Sequence, residues 1–84
     1  MKIYYSKISI KHLQKIKKDV VEKIVESIGK LPFEGDIKKM KGNKIKNIFR
    51  LRIGKYRIIY SFEKDIVKVI KIDTRGDVYK KNIW

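Results

Sequence analysis

Residues 49–60 read FRLRIGKYRIIY. On an extended chain, successive side chains point to opposite faces. Phe49, Leu51 and Ile53 therefore share one face, and Arg50 and Arg52 share the other. Beyond the tight-turn pair Gly54-Lys55, Tyr56, Ile58 and Tyr60 share a face opposite Arg57, Ile59 and Ser61. A β-hairpin with one buried and one open face satisfies this pattern, whereas a helix would scatter the apolar set around its axis. The rest of the chain must cover the apolar face.

The N-terminal half supplies that cover. Ile10, Leu13, Ile16, Val20, Val21, Ile24, Ile28 and Leu31 recur at three- and four-residue spacings, the stripe of an amphipathic helix. Ser6 is placed to cap its start, and Asp19 with Glu22 resembles a capping box that restarts it. The pattern predicts two helices in a hairpin, over 7–17 and 20–30, ended by Gly29 and Pro32. Ile3, Tyr4 and Tyr5 read as a first strand. Residues 32–47, PFEGDIKKMKGNKIKN, read as an irregular connection with one apolar anchor, Met40. Strands are expected over 47–53, 56–62 and 66–73, the last joined through Glu63-Lys64-Asp65. The tail GDVYKKNIW fits a short strand or a helical turn. The expected fold is α+β: an N-terminal strand and a two-helix hairpin packed on an antiparallel sheet of about four strands. No repeat or linker divides residues 1–84, so a single domain is expected.

Charge narrows the function. The 23 basic and 9 acidic residues give +14, which attracts polyanions. A nucleic acid or a strongly acidic protein is the expected partner, and a membrane is not. Without cysteine there is no disulfide framework and no thiolate metal site. The longest apolar runs span only a few residues, and MKIYYSKISI lacks the apolar centre of a signal peptide, so a cytoplasmic location is expected.

Lysine supplies most of this charge, yet all four arginines fall between residues 50 and 75. One arginine on a strand's outer face is ordinary surface. A group of them in a lysine-rich chain is less so, because the guanidinium fork grips phosphate in a bidentate way that lysine cannot. Strand alternation places Arg50, Arg52 and Arg57 on the open face, and Arg75 follows in a turn. Tyr79 fits either a base-stacking side chain or an edge aromatic. His12 is the one histidine, which excludes a paired-imidazole nuclease. The acids are scattered, so no metal or other cofactor is expected.

Three stretches, IKKMKG at 37–42, FRLRIGKYRIIYSF at 49–62 and VKVIKIDTRGDVY at 67–79, resemble the RelE/ParE toxin superfamily of toxin–antitoxin systems. The resemblance covers nearly the whole chain and implies two helices on an antiparallel sheet. It also implies one of two activities: RelE-like members cut mRNA in the ribosomal A site without a metal, and ParE-like members poison DNA gyrase. Arg57 and the apolar frame belong to both branches. Arg50 and Tyr79 match positions of the RelE-like branch. Two positions depart from that branch: Ile48 stands where a further basic residue is usual, and Thr74 where a histidine is.

By resemblance, Arg50, Arg57, Arg75 and Tyr79 are the expected catalytic set. Arg52, Lys46, Lys38, Lys39, Lys41 and Lys44 are expected at RNA or the ribosome, although each lysine alone also fits a solvated surface. An acidic RelB-like antitoxin is the expected partner, with DNA contacted only through it. Trp84 fits a core plug, a partner contact or a disordered position, and the sequence does not rank these.

Overall fold

The computed structural model describes residues 2–40 and 47–74, with the backbone alone at 73 and 74. The order is β1 (Lys2–Tyr5), α1 (Lys7–Gln14), α2 (Lys18–Gly29), β2 (Asp36–Lys39), β3 (Ile48–Ile53), β4 (Tyr56–Glu63) and β5 (Ile66–Thr74). Five strands form one sheet in the order β1-β5-β4-β3-β2. The class is α+β, with two differences from expectation. Asp36–Lys39 is a strand inside the segment read as irregular, and β1 runs parallel to β5, which makes the sheet mixed. The turn-rich composition of residues 32–47 hides β2, because Gly35 enters it at φ +126 and a Cβ there would lie 2.6 Å from Leu51 Cδ1.

The helices end earlier and start earlier than the stripe predicts. Residues 15–17 separate them, so α1 has only eight residues and α2 begins at Lys18. Asp19 is therefore not a cap but a first-turn acid, where its charge complements the helix dipole. Lys17 occupies the cap and makes no side-chain cap bond. Ile10 leaves the core as well. Ser9 takes the fully buried position of α1, and the 100° step of the helix turns Ile8 and Ile10 out on either flank.

The core lies between α2 and the sheet. Ile24, Ile28 and Leu31 meet Leu51, Ile58, Tyr60, Val67, Val69 and Ile72, with Phe49, Ile53 and Tyr56 packed around them. The apolar face of the central hairpin is thus covered as its alternation requires. Tyr60 stacks on Phe49 with centroids 5.5 Å apart, and burial pushes its hydroxyl up to about 12. Gly54 supplies the positive φ at the first position of the β3–β4 turn, the geometry of a II′ hairpin.

One irregularity sets the faces of β5. Ile59 pairs with Lys71, but Tyr60 pairs with Val69, so Ile70 is an extra residue. Ser6 braces it. The Ser6 hydroxyl donates to the Ile70 carbonyl at 2.6 Å, and its oxygen accepts from Ser9 N–H at 3.0 Å as the α1 cap. Ser6 N–H also donates to the Val69 carbonyl at 2.9 Å.

Two outcomes follow for stability. Ser6→Ala removes the cap and strands a bulge carbonyl, so the midpoint of thermal unfolding should fall by roughly 4–16 °C. Burial favours the neutral Tyr60 hydroxyl, so its contribution is complete below the unfolded tyrosine value, about 10, and is lost as pH rises through about 12. In alkaline unfolding followed by circular dichroism, Tyr60→Phe should therefore lose less stability than wild type across that window.

Candidate nucleic-acid face

Residues in register across a sheet present the same face. On the face turned away from the helices, one row runs Asp36, Arg52, Arg57 and Asp73. The next runs Lys38, Arg50, Ile59 and Lys71. Arg50, Arg52 and Arg57 do share this face, joined by Lys38 from β2 and Lys71 from β5. Lys39 does not join them, because it pairs with Phe49 and turns to the opposite side. Arg75, Tyr79, Lys41, Lys44, Lys46 and Trp84 lie outside the described residues.

The face is not the open surface that alternation alone implies. Arg57 is 8% exposed and Lys71 5%. Ile48 and Ile59 are buried on this same side, with Met40 and Ile70 against them. This second apolar cluster forms a floor beside the cations. It also gives Ile48 a physical role: its side chain packs where a basic one would be buried in hydrocarbon. Arg52 and Lys38 stand in solvent.

Arg50 lies between these extremes. Its side chain is 13% exposed, and Nη2 lies 3.7 Å from Asp36 Oδ1. Its Nε is buried and makes no hydrogen bond among the described residues. With Nε closed to solvent, an anion would meet this guanidinium at its terminal nitrogens. The pairing is also unusual in sign. Arg52 stands directly opposite Arg57, and Lys38 directly opposite Arg50. Like charges across an antiparallel pair are destabilising, by about 0.2–1 kcal/mol. An anionic ligand between them reverses that sign. Among the described residues no three His, Cys, Asp or Glu side chains gather to hold a metal. No described helix is long and apolar enough to cross a membrane.

Sequence reasoning missed Lys71 and Asp36. The signal for Lys71 lies in VKVIKID, where outward lysines are three residues apart instead of two, as a bulge requires. Asp36 carried no signal, since its stretch did not read as a strand.

A family model described as the ParE toxin of type II toxin–antitoxin systems, parDE, matches residues 3–79. Among solved structures, the chain is similar to RelE in its RelB complex from Methanococcus jannaschii. The identity is 25% and the TM-score 0.75, over 92% of this chain and 95% of that one. The RelE–RelB complex from Pyrococcus horikoshii OT3 matches at 27% identity and TM-score 0.75, over 90% and 96%. Isolated RelE from E. coli shares the fold at 19% identity and TM-score 0.69, over 95% and 92%. No curated protein matches the chain by sequence.

If this face binds phosphate, inorganic pyrophosphate should raise the unfolding midpoint. At one hundred times its Kd the gain is about 2.7 kcal/mol, readable by calorimetry. Arg50→Gln should cut that gain, and high salt should erase most of it.

Proposed function

The chain belongs to the ParE toxin family of type II toxin–antitoxin systems, and from that premise we propose that it is a ribosome-dependent endoribonuclease that cleaves mRNA in the A site. The observation that carries the reading is the two pairs of opposed cations, Arg52 with Arg57 and Lys38 with Arg50, on one sheet face. The likeness to RelE proteins at 25% and 27% identity supports the same branch.

The chemistry is attack of the ribose 2′-OH on the adjacent phosphate, in line with the departing 5′-oxygen. The P–O5′ bond breaks as the new P–O2′ bond forms, leaving a 2′,3′-cyclic phosphate and a 5′-OH. The reaction needs alignment, charge stabilisation at phosphorus, and a proton moved from one oxygen to the other. Arg57, buried beside the apolar floor, is a preorganised cation for the phosphorane oxygens. Arg50 adds a second guanidinium on the same face. In this reading Arg75 sits at the leaving oxygen and Tyr79 stacks the base. Arg52 and Lys46 support the backbone, and Lys38, Lys39, Lys41 and Lys44 meet ribosomal RNA. Lys39 does so from the other side of the sheet. Arginine holds its proton to a pKa above about 12, so proton transfer on free RNA is slow and the ribosome completes the site.

The partner in this reading is an acidic antitoxin like the RelB proteins of the archaeal complexes. It offsets the +14 charge and covers the arginine face. A second reading, poisoning of DNA gyrase, is favoured by the family description itself, which names ParE.

Translation of a defined mRNA with the protein added, mapped by primer extension, separates the two. Codon-register cuts should appear, and Arg57→Ala should slow them by about 10²- to 10³-fold. Intact mRNA together with inhibited supercoiling would sink the ribonuclease in favour of the gyrase poison.

A further inference from the structure

We propose that the corner where β1 meets the β4–β5 turn is a second nucleotide site, stacking an RNA base on Tyr4 and holding a phosphate between Lys64 and Lys68. The inference rests on the arginine face being an RNA site, and it says where the rest of the strand runs.

Register carries the placement. Beyond the arginine rows, the same face continues as Ile48, Ser61, Lys68 and Tyr4. Ser61 lies four residues along β4 from Arg57, a distance of about 13 Å at the rise of a strand. That is the span of a few nucleotides. The corner is concave: a cavity of about 160 Å³ is lined by Ser61, Glu63, Lys64, Ile66 and Lys68. Among the described residues it lies on the outward side of the sheet, as the arginines do.

Its chemistry suits a ribonucleotide. Ile3 and Tyr5 of β1 turn inward to the core, while Tyr4 turns outward and is 51% exposed. A half-exposed aromatic beside lysines, on a face already lined by arginines, is the combination used to stack unpaired bases. Lys64 holds φ +52, a left-handed conformation in which asparagine or glycine is less strained, so the turn keeps a lysine at some cost. Glu63 would repel a bare anion, but beside two lysines its carboxylate accepts from a ribose 2′-OH or a base amine. The ligand is therefore a single-stranded RNA long enough to reach both the arginines and this corner.

Length dependence tests the site. Fluorescence anisotropy would be read for a trinucleotide and for a nonanucleotide RNA, with the full-length protein. Tyr4→Ala should weaken nonanucleotide binding by about five- to one-hundred-fold and leave the trinucleotide nearly unchanged. Tyr4→Phe should restore the affinity. Lys68→Gln should lower the salt dependence of nonanucleotide binding by about 0.7 in the log–log slope, one phosphate's worth. Equal losses on both lengths, an unaltered nonanucleotide affinity, or no binding of either oligomer by wild type would each overturn the site. A wild type that shows this length dependence but leaves mRNA intact on the ribosome would keep the site and remove the nuclease.

Discussion

One short hydrogen bond, from the Ser6 hydroxyl to the Ile70 carbonyl at 2.6 Å, holds the rest of the arrangement in register. Ile70 is the extra residue of β5, and a one-residue slip in a strand exchanges its two faces. Without the bulge, the half of β5 that follows would send Lys71 into the core and Ile72 toward the arginines. The bulge frees a backbone carbonyl that the ladder no longer satisfies, and a buried orphan of that kind is costly. Ser6 meets it, and the same oxygen caps α1. Register, helix entry and the composition of the basic face are therefore set by one side chain.

That coupling explains how the electrostatics are tolerated. Arg57 and Lys71 are buried in a sheet whose outward side also carries Ile48, Ile59, Met40 and Ile70. Hydrocarbon beside guanidinium groups lowers the local dielectric and strengthens every interaction with an arriving phosphate. Exposed lysines elsewhere create a positive field that reaches polyanions at a distance and that salt screens. In the proposed function the two kinds of cation divide the work: the lysines gather the polyanion, and Arg50 with the buried Arg57 fixes it.

Much of this was legible in the sequence, and the limits have physical causes. Period-two alternation assigned Phe49, Leu51, Tyr56, Ile58 and Tyr60 to the core and three arginines to the opposite face, as the register has them. The helical stripe located both helices, but its spacing persists through residues 15–17, where the chain turns. Ile10 fits the stripe yet lies exposed, because an eight-residue helix rests on a narrow line of contact at Ser9. β2 escaped notice because four residues containing two lysines and an aspartate gain strand character only from pairing with β3. Burial of Arg57 was not legible either, since it depends on a second apolar cluster assembled from three strands and the residue after β2.

The parallel pairing of β1 with β5 has a further consequence for how the protein comes into being. Lys2 meets Ile66 and Tyr5 meets Val69, so the strand nearest one end of the described chain has its partner near the other. On a translating ribosome, the opening strand must wait, unpartnered, until nearly everything between them has been made. Loop closure over that separation comes late and slowly. The sheet gains its β1 edge, and Ser6 reaches the bulge it braces, only after β5 has been made.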